Sequence, residues 1–393
     1  MTFLRMTAVL LPLLFICASV AAQIPGITPQ SPVTFSGYAK YLPSVSIPKS
    51  GDSRYDHLLH QRFNLEYRFL NDFSFAASMR NRLFYGDSSR LPGYDRQIGF
   101  DPGYLDLSWN WLQGDRLLGN SSLDRIYLDW EPDDYKIRIG RHRIAWGIAT
   151  LWNPNDLFNS YSVYDIDYTE RPGTDALLLG KTLGFASMIE SVWAFADNWE
   201  RTTLAGRYQF NLAGYDFQLL AGKNRNDLVA GGGFAGNIVG AGLRGEISYL
   251  LPQHADWQGR PQQRSLVATI EADHTLPGKR NGLLKGAILY ISRPENPVNA
   301  LSYLQLPLTT RSLSFSRWTG YAEVAFDLSA LSRQTLGGSL YSDGSWYLLV
   351  SNAVSLADNW GLLLVWQHFD GRSGSLFGTD PVDQLFARIQ WSF

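Results

Sequence analysis

The stretch Leu58-Leu59-His60-Gln61-Arg62-Phe63-Asn64-Leu65-Glu66-Tyr67-Arg68-Phe69 alternates almost residue by residue between two kinds of side chain. Leu59, Gln61, Phe63, Leu65, Tyr67 and Phe69 share one face. His60, Arg62, Asn64, Glu66 and Arg68 share the other. A period of two is that of a strand with unlike faces. Leu70-Asn71-Asp72 then makes a turn, and Phe73, Phe75, Ala77, Met79 and Leu83 alternate with Ser74, Ser78, Arg80 and Arg82. The two segments read as a hairpin with one charged face. In a soluble sandwich that face meets water and the apolar face a core. In a membrane barrel the apolar face meets lipid and the charged face lines the interior. One hairpin does not separate these; the number of such segments does.

The pattern recurs along the chain. Ile126, Leu128 and Trp130 oppose Arg125, Asp129 and Glu131; Leu243, Ile247, Tyr249 and Leu251 oppose Arg244, Glu246 and Ser248. Strands are expected at 33–41, 58–69, 73–85, 122–131, 135–146, 175–182, 185–195, 201–212, 214–224, 227–235, 239–251, 264–275, 281–292, 314–328, 334–342, 345–355, 359–369 and 382–393. That is about 18, an even number with lengths suited to tilted membrane strands. Short turns at 70–72, 132–134, 212–214, 276–281, 329–333 and 356–358 trade places with long connections at 42–57, 86–121, 147–174, 252–263, 293–313 and 370–381. The reading is all-β: an antiparallel up-and-down barrel over 33–393. Segment 103–111 is read as part of a structured outer loop. Phe195-Ala196-Asp197-Asn198-Trp199 and Leu356-Ala357-Asp358-Asn359-Trp360 echo each other, and Asp-Asn turn chemistry accounts for that.

Residues 1–22 read as a secretory signal, with Arg5, an apolar run from Ala8 to Ala18, and Val20-Ala21-Ala22 before Gln23. Residues 23–32, with Pro25, Pro29 and Pro32, read as a flexible leader. Cys17, the single cysteine, falls in the signal, so no disulfide framework is expected. The near balance of 34 basic and 36 acidic residues argues against a nucleic-acid partner. Aromatic residues make up 14% of the chain and charged residues only 18%, a bias that aromatic girdles at two membrane interfaces would produce. Past the signal, no apolar run reaches the ~18 residues of a spanning helix, so membrane entry requires strands in a closed barrel.

The last strand places Leu385, Ala387, Ile389, Trp391 and Phe393 on one face, with Phe393 final in the sequence. This resembles the terminal signature of bacterial outer-membrane barrels. The resemblance implies the outer membrane of a Gram-negative bacterium, lipid and the barrel-assembly machinery as partners, and Phe393, Trp391 and Ile389 as the assembly signal. A second resemblance rests on Gly140-Arg141-His142-Arg143-Ile144-Ala145-Trp146-Gly147, Asn153-Pro154-Asn155-Asp156 and Arg171-Pro172-Gly173-Thr174-Asp175-Ala176. These look like the G-R-Q-x-I-x-W-G, N-P-x-D and R-x-G-x-D-A pattern of a group of proteobacterial porin-like barrels. His142 stands where Gln is usual, which weakens any transfer of substrate.

Parity within 135–146 is awkward. Ile137 and Ile139 face lipid, which would send Arg141 and Arg143 there too, at about 2–4 kcal/mol each near mid-membrane. A bulge at Gly140 would turn both arginines inward and return Ile144 and Trp146 to lipid. Loop 147–174 carries Asp156, Asp165, Asp167, Glu170 and Arg171, and is expected to fold into the barrel and pair with inner arginines. Arg62, Arg80, Arg82 and Arg138 form the candidate basic ladder, with Arg141, Arg143 and Asp175 completing the pore-lining set. The competing reading is that these charges pair among themselves and only solvate the wall.

Enzymatic chemistry is not expected. None of the six histidines sits in a nucleophile motif, and there is no Gly-x-Ser-x-Gly elbow. Asp165, Asp167 and Glu170 lack a calcium-loop pattern. Gly231-Gly232-Gly233 is no phosphate loop and suggests a bulge or thin wall. No metal or cofactor is implied. A barrel of 16–18 strands leaves an aqueous channel, so passive diffusion of small hydrophilic or organic solutes is the leading expectation. A dedicated export or uptake channel and a sheath for a periplasmic partner such as a cytochrome are the alternatives. Large porins are often homo-oligomers by resemblance, although the sequence shows no interface feature of its own.

Overall fold

The computed structural model describes residues 31–393 apart from 160–163, 165, 168–170, 172, 258, 296, 298 and 306–307. The expected signal, residues 23–30 of the leader, Asp165 and Glu170 lie outside the described residues. In chain order the strands are β1 (Val33–Pro48), β2 (Arg54–Leu70), β3 (Phe73–Gly86), β4 (Ser108–Gln113), β5 (Leu117–Trp130), β6 (Tyr135–His142), β7 (Thr174–Gly184), β8 (Ser187–Ala194), β9 (Thr203–Leu212), β10 (Tyr215–Asn224), β11 (Asp227–Ile238), β12 (Ala241–Pro252), β13 (Asp256–Trp257), β14 (Arg260–Pro261), β15 (Ser265–Leu276), β16 (Gly282–Ile291), β17 (Trp318–Ser329), β18 (Ser332–Tyr341), β19 (Ser345–Ala357), β20 (Trp360–Gly371) and β21 (Val382–Ser392). Without β4 and the small β13–β14 ribbon, eighteen strands pair antiparallel in chain order, and β1 joins β21 to close the barrel.

Closure leaves the wall without a free edge, as a spanning sheet requires. The outward face is a belt of exposed apolar side chains, among them Leu59, Ile139, Leu179, Leu219, Ile247, Ile288, Leu336 and Leu364. Exposed area of that extent is not found on a soluble monomer and marks the lipid face. Rings gather at both ends of this belt. Phe69, Phe73 and Trp130 stack near one rim, with Phe210 on Phe217; Tyr290 meets Trp318 near the other.

One rim carries only short connections: 71–72, 131–134, 185–186, 213–214, 239–240, 277–281, 330–331 and 358–359. Val239-Gly240 shows why two residues suffice. Both have positive φ, 52° and 82°, which matches the twist of the flanking strands. The opposite rim carries the long connections, so the two Asp-Asn turns sit on opposite rims.

The structure corrects four boundaries. β1 and β2 run through most of 42–57, leaving only 49–53 as a loop. Pro43 is tolerated in β1 because the ladder to β21 has no pair at Leu42 or Pro43. Segment 108–113 is not loop but β4, hydrogen-bonded to the upper half of β5. β6 stops at His142, four residues short of the expected end, because the chain leaves the wall there. The glycine run of β11 contains no bulge; it keeps a continuous register with β10 and β12.

Candidate functional site

Past His142 the chain turns into the barrel. Ile144 and Trp146, expected to face lipid, are 1% exposed and pack inside with Trp152 against Leu178, Val192, Leu220 and Leu250 of the inner wall. Burying these side chains favours the inward path. Their backbone then needs partners in a place that water does not freely reach. Two wall carboxylates supply them. Glu246 on β12 accepts from the amides of Ile148, Ala149 at 2.7 Å and Asn155 at 2.9 Å. Glu271 on β15 accepts from the amides of Thr150 and Leu151, both at 3.0 Å, and from the Thr150 hydroxyl at 2.6 Å. A third, Glu190 on β8, accepts from the Trp146 indole at 3.1 Å and pairs with Arg207.

Asn155 fixes the segment to β11 and β12, donating to the Gly232 carbonyl at 2.8 Å and accepting from Ser248 at 2.8 Å. A Cβ at Gly231 would stand 2.8 Å from the Asn155 oxygen, so the glycine run leaves room for this contact. Tyr164 then docks on the far wall, bonding to Tyr341 and meeting Tyr347 and Phe369 edge to face. Asp167 reaches β1 and β2, 2.8 Å from Lys40 and 3.0 Å from His60 Nδ1. Burial would push the Asp167 carboxyl up. The His60 hydrogen bond and the charges of His60 and Lys40 outweigh that and hold it at about 2. The described residues of segment 143–173 therefore touch the inner wall at β8, β10–β12, β15, β18–β20 and β1–β2 before the chain rejoins it at β7.

The three motif pieces meet in this belt. Arg171 pairs with Asp156 at 2.5 Å, and burial pushes the Asp156 carboxyl up. A side chain at Gly147 would collide with Asn153. Arg141 pairs with Asp175 at 2.7 Å and Asp101 at 2.5 Å.

No protein-family model and no curated protein matches the chain. Solved structures do match. Pseudomonas aeruginosa OpdQ is similar with a TM-score of 0.58 at 9% identity, over 92% of this chain and 99% of that one. For P. aeruginosa OccK8 (OprE) the values are 0.55, 8%, 92% and 98%. For OccK7 (OpdD) of the same organism they are 0.54, 12%, 92% and 99%. The chain has the fold of a porin barrel.

Within this porin-type wall the expected site residues fall into three places. Arg62, Arg80, Arg82 and Arg138 stand on the inner face. Arg62 pairs with Asp124 at 2.6 Å and Arg138 with Asp129. Arg82 donates to Asn120 at 2.7 Å. Asp156, Asp167 and Arg171 lie in the belt, and Arg143 is close enough to Asp156 to act on its charge. Asp156 thus meets the loop's own Arg171 rather than a wall arginine. Arg141 and Asp175 lie in the wall itself. No register shift occurs at Gly140, despite its φ of 118°. Arg141 keeps the outward parity of Ile139 and is covered by segment 101–105, whose Leu105 carbonyl it also binds at 2.5 Å. A cover, rather than the expected bulge, keeps this charge from lipid.

Sequence reasoning passed over the anchors Glu190, Glu246 and Glu271, and also Lys40, Asp101 and Asp124. Glu246 was visible only as an acid on the inner parity, two residues after Arg244 and before the uncharged stretch Ile247 to Leu251. Nothing local distinguishes such a residue from a merely solvated one.

Proposed function

We propose that this chain is a passive outer-membrane channel for small solutes, in which the belt 143–173 narrows the bore beside a cationic arc of the wall. The observation that carries the reading is the inward belt itself, held by backbone donors on Glu246 and Glu271 inside a closed barrel with an apolar exterior. Lys40, His60, Arg62, Arg80, Arg82, Arg125, Arg138 and Arg388 belong to the neighbouring strands β21, β1, β2, β3, β5 and β6. Among the described residues, Arg80, Arg125 and Arg388 have no carboxylate within ion-pair distance. An arc of that sign raises the local concentration of anions and sets selectivity in the manner of charged pore rings. The same narrowing favours a channel serving one class of anionic solute over a wide unselective pore.

Planar-bilayer recording across a salt gradient tests the reading. The expected result is discrete conductance steps with a reversal potential of anion-selective sign. Glu246→Gln, which puts a donor against the belt's amides, should raise the unit conductance. A chain that inserts without conducting would overturn the channel, and cation selectivity would overturn the role of the arc.

A further inference from the structure

A cavity of about 360 Å³ opens on the rim of long connections, between the connection from β8 to β9 and the one that carries the β13–β14 ribbon. The first contributes Asn198, Glu200 and Arg201, and the second His254, Asp256 and Trp257. Ligand sites span about 300–1,000 Å³, so the space suits a small molecule. None of the six residues belongs to the belt or to the basic arc of the wall.

Both sides are pinned through their backbones to one corner, the turn between β10 and β11. Lys223 donates to the carbonyls of Trp199 at 2.7 Å, Glu200 at 3.2 Å and Thr202 at 3.0 Å. The Asn226 side chain donates to the His254 carbonyl and accepts from the His254 amide, both at 3.0 Å. The Asn226 carbonyl accepts from the Gln253 amide at 2.7 Å. Asn198 and Asp256 use one side-chain oxygen each on local turns, accepting from the amides of Arg201 at 3.0 Å and Gly259 at 3.1 Å. Trp257 is half-buried, and the other five residues are exposed. Among the described residues, the side chains of Glu200, Arg201, His254 and Trp257 make no hydrogen bond, ion pair or ring contact. The fold thus fixes where these groups stand and leaves their bonding capacity to a ligand. Loops held in place beforehand lower the ordering cost of binding.

The residue types select the ligand. Glu200 and Asp256 oppose an anion, and Arg201 beside them opposes a cation. Neutral hydroxyl groups suit all of them, because carboxylates accept, a guanidinium donates, and amide and imidazole do both. The flat apolar face of Trp257 suits the C–H face of a ring. We propose that this cavity binds a neutral saccharide of one or two rings, stacked on Trp257 with its hydroxyls on Glu200, Arg201, His254 and Asp256. A free sugar and the sugar portion of an outer-leaflet lipid share this chemistry.

Calorimetric titration of the full chain, in a detergent without a sugar headgroup, tests this. The probes are glucose, galactose, maltose, lactose and the delipidated core oligosaccharide of lipopolysaccharide. The expected result is binding of at least one probe, weakened tenfold or more in Trp257→Ala and restored in Trp257→Phe. Tighter binding of the core oligosaccharide than of all four free sugars assigns the lipid as the source. The opposite order assigns a free solute. Where Trp257→Ala fails to assemble, Glu200→Ala should weaken binding several-fold. No binding of any probe, or binding unchanged by these substitutions, would overturn the proposal. The readout does not depend on conduction, so a conducting barrel that binds no sugar would keep the channel and lose the saccharide site.

Discussion

Asp167 illustrates how a single side chain joins the belt to the wall. Its carboxyl lies at about 2, below the ordinary 3.8, because Lys40 and His60 hold its charged form. A depressed carboxyl contributes stability in full above its free value and loses it as the pH falls through the bound value. The contribution is on the order of 2 kcal/mol. Conductance should therefore stay level from pH 7 to about 4. It should rise between about 4 and 2 as the protonated side chain releases this end of the belt. In Asp167→Asn the acid-induced rise should be absent. Bilayer recording at stepped pH measures both, and an identical acid response in the variant would show that Asp167 is not the pin. The sequence marked Asp167 as a partner for inner basic residues, but it named arginines. Lys40 and His60 are 127 and 107 positions away, a pairing that only barrel closure produces.

At the scale of elements, the interrupted strand β6 is the feature on which the interior depends. Ile137 and Ile139 were legible as outward residues because alternation is local. The inward turn at Arg143 was not legible, because it rests on wall residues from β8 to β15 that no neighbouring residue reveals. The same holds for β4. Trp109 and Trp111 alternate with Ser108 and Asn110 as in any strand, yet six residues gave no sign that they would stand in for the missing part of β6. Arg141 is the staple of this repair, joining β6, β7 and the covering segment through Asp175 and Asp101. Arg141→Ala would leave two buried carboxylates without a cation, held only by the amides of Leu105, Gly103 and Leu107, at a cost of about 3–5 kcal/mol. The unfolding temperature of the barrel in detergent should fall clearly while the reversal potential stays near that of the parent. The reverse pattern would return Arg141 to the bore.

For the whole molecule, closure is the decisive event, and the last residue takes part in it. Gly37 and Phe393 exchange backbone hydrogen bonds of 2.9 and 3.0 Å. The Phe393 ring packs near Phe35 and Phe63, and a Cβ at Gly37 would stand 2.7 Å from it. Phe393→Ala removes a ring of the seam between the first and last strands, where no turn holds the partners together. Assembly into lipid vesicles, followed by resistance to unfolding in cold detergent, should slow several-fold. A variant that assembles at the parental rate would confine the terminal aromatic to a passive place in the girdle.

The alternation of side chains, by itself, determined the strands, their two faces, their even number and the position of the turns. Each is a property of residues within a strand's length of one another. The tertiary structure alone decided which carboxylates anchor the belt, which basic residues meet Asp167 and where the wall needs mending. Those choices join residues up to 127 positions apart, and a closed cylinder brings such residues together by geometry that no local pattern encodes.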